Sequence, residues 1–167
     1  VDSNIVPEQN EQYNIGTSGR RWDVVYANIL DGTATQAKYA DLAENYVSDY
    51  SYGEGTVIVF GGEYEVTSTT QKGDHRVAGV VSAKPAYLMN SGLTEEDNQF
   101  VVQVALTGRV PCKVLGKVEK GDMLVSSPIK GFAVVDNNPK TGTVLGKALE
   151  RKTTDAKSTI EIAVGRT

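Results

Sequence analysis

Along the second two thirds of the chain, apolar residues fall in short runs separated by Gly, Pro and Asp-Asn punctuation. β-branched and aromatic residues in runs of this length, bounded by turn formers, predict strands. We place them at Thr56–Phe60, Tyr64–Ser68, Arg76–Ser82, Phe100–Thr107, Cys112–Val118, Met123–Ser126, Phe132–Val135, Val144–Glu150 and Thr159–Val164. So many short strands in one stretch predict a sandwich or a closed barrel. Before them the pattern changes. Residues 1–20 are polar and rich in Asn, Gln, Gly and Ser, with a tight turn predicted around Asn14-Ile-Gly-Thr-Ser-Gly-Arg. Arg21–Leu30 mixes apolar and β-branched residues and stops at Asp31-Gly32, which predicts a strand closed by a turn. In residues 33–47, Ala37, Ala40, Ala43 and either Tyr46 or Val47 recur at spacings of three and four. This is the stretch with helical periodicity, and its stripe of small residues suits close packing between chains or against a sheet. The fold class expected is therefore mainly β: an extended N-terminal stem and linker over 1–50 with a short Ala-rich helix, then a β-barrel or sandwich domain over 51–167.

The β region echoes itself. Gly53-Glu-Gly-Thr-Val-Ile-Val-Phe, Tyr64-Glu-Val and Arg76-Val-Ala-Gly-Val-Val parallel Glu119-Lys-Gly-Asp-Met-Leu-Val, Phe132-Ala-Val-Val and Thr143-Val-Leu-Gly-Lys-Ala. Gly55 and Gly79 are 24 positions apart, Gly121 and Gly146 25. Each copy predicts a Gly-started hairpin followed by a strand that one glycine interrupts, and a glycine inside a strand marks a bulge or a close backbone approach. An internal pseudo-duplication follows.

With 167 residues the chain is large enough to bury a core without a staple. It has one Cys and one His, Cys112 and His75, which excludes a disulfide framework and a Cys/His zinc site within the chain. Cys112 fits a small buried apolar residue. The net charge of −4 and the scattered Lys and Arg give no basic field for phosphates, so no nucleic-acid partner is expected. No apolar run nears the roughly 20 residues of a membrane span, and the start Val-Asp-Ser-Asn-Ile-Val-Pro lacks the pattern of a secretion signal. Membrane insertion is not expected. Without an initiator Met, the chain is expected to be a fragment or processing product of something longer.

Motifs for nucleotide, zinc or acyl-transfer chemistry are absent: there is no Gly-x-Ser-x-Gly, no Gly-x4-Gly-Lys-Ser/Thr, no His-Glu-x-x-His and no Gly-x-Gly-x-x-Gly. We expect no metabolic enzyme, no cofactor and no bound metal; Asp136-Asn-Asn fits ordinary turn chemistry. Asp41, Glu44, Asp49 and Glu54 offer carboxylates for a glycosidase pair, although solvated charges account for them more simply. Tyr46, Tyr50 and Tyr52, with Asp49 and Glu54, suit either a sugar-stacking patch or a hinge into the next domain. His75, in the turn Lys72-Gly-Asp-His-Arg, and Ser82, in Val-Val-Ser-Ala-Lys-Pro, are a base and a nucleophile for self-cleavage if the fold brings them together. The polar stretch Asn90–Asn98 is expected to be an exposed loop.

Asn14-Ile-Gly-Thr-Ser-Gly-Arg-Arg-Trp-Asp-Val-Val-Tyr-Ala-Asn resembles the segment that precedes the C-terminal domain in many tail-fibre and appendage proteins of tailed bacteriophages. In that family the segment is part of an intertwined trimeric stem. The stretches 32–46, 76–90 and 104–114 also resemble phage virion proteins. The resemblance implies a homotrimer located in the virion, assembled in the bacterial host cytoplasm with other virion proteins and attaching to a host surface glycan or protein. Trp22, Val24, Val25, Tyr26, Ile29 and Leu30 are the expected trimer contacts, because an isolated stem cannot bury them. A more distant similarity, through Tyr39-Ala-Asp and Gly79-Val-Val-Ser-Ala-Lys-Pro, is to the autocleaving intramolecular chaperone domains of phage neck appendages. Attachment module, chaperone with autoproteolysis, and head or neck decoration protein remain alternatives.

Overall fold

The computed structural model describes residues 5–31, 36, 40–96 and 99–165. The chain forms two compact units, Val1–Thr35 and Gln36–Thr167.

The described part of the first unit contains no strand. Its tight turn is present: Thr17 and Arg20 exchange backbone hydrogen bonds of 2.9 and 3.2 Å, and the Thr17 hydroxyl also accepts from Arg20 N–H. The strand expected over Arg21–Leu30 is absent. A strand exists by pairing, and the described residues of this unit offer the segment no partner strand.

The second unit holds ten strands: β1 (Asp41–Ser48), β2 (Val57–Phe60), β3 (Val66–Thr67), β4 (Val77–Val81), β5 (Tyr87–Met89), β6 (Phe100–Val114), β7 (Met123–Ser126), β8 (Ala133–Val135), β9 (Val144–Ala148) and β10 (Ser158–Val164). The described residues are all-β. The Ala-rich helix is corrected: residues 41–47 lie in β1, antiparallel to β6 from Asp41↔Gly108 to Ser48↔Phe100. Residues 33–35 and 37–39 of that segment lie outside the described residues. The helical spacing of the alanines is incidental, since Asp41, Ala43, Asn45 and Ser48 are the buried positions, three of them polar.

The pairings close two five-stranded rings. One runs β6–β4–β2–β3–β1 and returns to β6. The other runs β6–β8–β7–β9–β10 and returns to β6. β6 belongs to both: its first half pairs with β1 and its second half with β10. β5 adds to the outside of the first ring, parallel to β1. Two strands predicted over Phe100–Thr107 and Cys112–Val118 are thus one continuous strand, which passes Gly108 at a φ of 108° and Pro111.

This is the predicted duplication, with pairings and several hydrogen bonds repeated between the copies. Ile58 opposes Gly79 and Leu124 opposes Gly146, and a bulge follows each pair. Gly55 N–H donates to Val81 O at 2.9 Å, as Gly121 N–H does to Ala148 O at 2.8 Å. Gly61 N–H donates to Glu65 O and Ser127 N–H to Phe132 O, both at 2.9 Å. Each ring encloses apolar side chains: Ile58, Val66, Val81, Val102 and Val104 cluster in the first, and Leu124, Ala133, Ala148, Ile160 and Ile162 lie in the larger cluster of the second. Full burial of a Val, Leu or Ile side chain contributes about 1.5–3 kcal/mol. The larger cluster also takes in Val57, Val80 and Ala105 from strands of the first ring, so the two barrels share apolar packing.

A polar lock supplements it. The fully buried carboxylate of Asp74 receives Arg76 Nε and a second guanidinium nitrogen at 3.0 and 2.7 Å, and the Thr69 hydroxyl at 2.8 Å. Asp74 N–H donates to Ser126 Oγ on β7 at 2.8 Å, tying the loop before β4 to the other barrel. The Arg76 hydrogen bonds hold the Asp74 carboxyl well below the usual carboxylate range, against the opposing effect of burial.

Candidate functional site

The β1–β2 connection, the second half of β6 and the β7–β8 turn meet around a recess of about 430 Å³. Its aromatic walls are Tyr50, Tyr52 and Phe132, and its cations are Lys113 and Lys130. The backbone fixes this junction: Lys113 N–H donates to Gly55 O at 2.8 Å and Val57 N–H to Gly131 O at 3.0 Å. Gly131 has a φ of 80°, and a Cβ there would crowd the Thr56 methyl at 2.9 Å, so the turn must approach with a glycine.

The side chains are held in place. Tyr52 donates its hydroxyl to Asp49 Oδ1 at 2.8 Å and accepts from Ser68 N–H at 3.2 Å. Tyr50 stands edge-on to Tyr52, ring centroids 5.6 Å apart, and remains 63% exposed. Lys113 Nζ donates to the Thr56 hydroxyl at 2.8 Å, and Lys130 Nζ lies 5.7 Å from the Tyr52 ring centroid. Lys157 Nζ lies 5.1 Å from the Phe132 centroid. A pocket with flat aromatic faces and positioned cations can stack a ring and pair an anion.

A second cleft of about 310 Å³ gathers Asp41, Glu54, Glu161, Ser82, Lys84 and Arg109. Asp41 is buried and its Oδ2 has no hydrogen-bond partner. Burial raises the Glu161 carboxyl above its ordinary range; Glu150, Glu54 and Asp41 add to this and Arg109 opposes it. Two of the four carboxylates singled out in the sequence therefore do meet. The other two are engaged elsewhere: Glu44 accepts the Tyr46 hydroxyl at 2.8 Å, and Asp49 accepts from Tyr52 and Thr67. The Tyr46 hydroxyl is pushed up to about 12, mainly by burial, with the Glu44 contact adding to it.

His75 and Ser82 are not brought together within the chain. His75 is exposed in the turn before β4 and Ser82 is buried just beyond its end. The whole strand lies between them, roughly 16 Å at about 3.3 Å per residue. Cys112 is free and fully buried, and burial pushes its thiol far up, away from nucleophilic range. Asp136 accepts Asn138 N–H at 3.1 Å, as a turn aspartate does, and sits 3.5 Å from Lys72. Among the described residues no group of three or more His, Cys, Asp or Glu is placed to hold a metal ion. In the first unit Trp22, Val24, Val25, Tyr26, Ile29 and Leu30 are between 56% and 94% exposed. Trp22, Val25 and Leu30 line a shallow apolar recess of that unit together with Ile15.

The sequence drew attention to Tyr50 and Tyr52 but not to Lys113, Lys130 or Phe132. No local signal joins residues some 60 to 80 positions apart; only the approach of the second barrel to the β1–β2 connection does.

The chain's second unit is two fused five-stranded barrels with an aromatic and cationic recess at their seam. No protein-family model matches the chain, and no curated protein matches it. Among solved structures it is similar to the pre-mature bacteriophage phi29 gene product 12, with a TM-score of 0.58 and 14% sequence identity over 81% of this chain. The matched part spans 23% of that chain, so the fold shared is that of one portion of a bacteriophage protein.

Proposed function

We propose that the chain is a module of a tailed-phage virion appendage, carried as a homotrimer, that takes part in attachment to the host. The observation that carries this reading is the fold shared with phi29 gene product 12. The exposed apolar row from Trp22 to Leu30 supports a multichain stem, because six such side chains left in water would be an aggregation liability in a monomer. The other two copies in a trimer are its natural cover. The recess at Tyr50, Tyr52 and Phe132 is the attachment surface in this reading, since aromatic walls suit a surface sugar. Labelled protein is expected to adsorb to susceptible bacterial cells and to block adsorption of the phage that carries it. Adsorption to no host envelope, with the phage unhindered, would overturn attachment and leave a head or neck decoration role.

A second reading, an intramolecular chaperone that drives trimer assembly and is cut off, is favoured by the similarity to a pre-mature form of the phi29 protein. Expression with the natural upstream sequence tests it by mass spectrometry. A cut near the stem that is lost in both His75→Ala and Ser82→Ala would support it with that pair meeting between chains. An uncut product removes it.

A further inference from the structure

We infer that the seam recess binds an acidic saccharide: a sugar ring stacks on the Tyr50 and Tyr52 walls while its negative group is taken by Lys113 and Lys130. This rests on the attachment reading above and names its ligand class.

The charge is the first argument. The protein is acidic overall at −4, yet the recess is lined by two lysines and by no carboxylate. Neither lysine has a carboxylate within salt-bridge reach among the described residues: the ion pairs run from Lys72, His75, Arg76 and Arg151 instead. Lys113 is half-buried and held by a neutral hydroxyl, Thr56 Oγ1, which already donates to Gly53 O at 2.6 Å. Lys113 keeps its remaining protons for a ligand. Lys130 stands over the face of Tyr52, so a ring and an anion bound here would meet adjacent walls.

Shape is the second argument. A volume of about 430 Å³ lies in the range of small-ligand sites and holds one or two sugar rings. Tyr52 is fixed by Asp49 and Ser68, and Tyr50 presents an exposed ring beside it, so stacking requires little reordering. Among the described residues, the second barrel does not repeat the Lys113 anchor. Position 56, whose hydroxyl anchors Lys113, corresponds to Asp122 in the second barrel, which instead accepts from Glu119 N–H and Asn137. The repeat therefore supplies the framework, and the seam residues are additions to it.

The test is calorimetric or NMR titration of the full chain with a galacturonic acid trisaccharide and with its neutral galactose counterpart. The acidic sugar is expected to bind at least roughly tenfold more tightly, weakening as salt rises. Lys130→Gln, at an exposed position that leaves folding intact, and Lys113→Met should each abolish most of that preference. Tyr50→Ala should weaken both sugars. Equal affinity for the two, no saturable binding of either, or competition by inorganic phosphate as effective as by the acidic sugar would overturn the inference. Adsorption to cells is measured on the same protein. Cell binding without sugar binding defeats this inference and leaves attachment standing, whereas sugar binding without cell adsorption does the reverse.

Discussion

Gly79 and Gly146 occupy the same place in the two barrels, each opposite the large buried residue of the neighbouring strand, Ile58 and Leu124 respectively. Neither has a positive φ. What each provides is space, because a Cβ at Gly79 would collide with the Ala105 carbonyl oxygen and one at Gly146 with that of Ala163. The obstacle in both cases is backbone, which cannot swing aside. Gly79→Ala and Gly146→Ala are each expected to cost about 2–3 kcal/mol of unfolding free energy in urea, at the upper end of overpacking effects. Gly92→Ala, where nothing lies near, is the control and should change little. A neutral result at Gly79 or Gly146 would show that the strands can part there.

Asp74 gives a pH dependence with a definite sign. Its folded pKa lies below the unfolded value, so its contribution is complete above about pH 4 and declines as pH falls below that. Asp74→Asn is expected to lose roughly 2 kcal/mol at pH 7, the scale of hydrogen bonds to a charged group. Urea unfolding at pH 7 and pH 3 should show the gap between the two proteins narrowing in acid. An equal gap at both would mean that the charge is not what matters.

Glu161 behaves oppositely. Burial and neighbouring carboxylates raise its pKa, which favours the neutral form, so the charge opposes folding once pH rises above about 4. Glu161→Gln should be more stable than the parent at pH 7 by up to about 0.5 kcal/mol, and equal to it at pH 3. A destabilised Gln variant at pH 7 would mean that the carboxylate has a cationic partner in solution.

Trp22 tests the stem. Sedimentation equilibrium is expected to give a mass near three times 17.9 kDa for the parent chain. Trp22→Ala should shift the distribution toward monomer while leaving the unfolding of the β unit within about 0.5 kcal/mol, as for a surface change. A folded, monomeric parent would exclude the trimer.

Much of the β unit was legible without coordinates. Runs of Val and Ile between turn formers marked most strands, and the spacing of Gly55 to Gly79 and of Gly121 to Gly146 announced the duplication, because steric demands repeat wherever the backbone does. Where sequence and structure part, one cause recurs. The inward row of β1 contains Asp41, Asn45 and Ser48, Gly108 and Pro111 interrupt the composition of β6, and Arg21–Leu30 has strand-like composition without forming a strand. In each case local composition points one way and pairing decides: Asn45 and Asn90, 45 positions apart, each donate a side-chain amide N–H to the other's backbone carbonyl at 3.1 Å.

The sequence by itself determined an all-β unit built twice, the absence of metabolic motifs, and an apolar N-terminal row. Side-chain periodicity and glycine sterics are local properties, written residue by residue. The tertiary structure decided that the two copies share β6, that His75 and Ser82 stand at opposite ends of β4, and that Lys113, Lys130 and Phe132 reach Tyr50 and Tyr52. Ring closure is set by hydrogen bonds between distant strands, and such proximity has no trace in the order of residues.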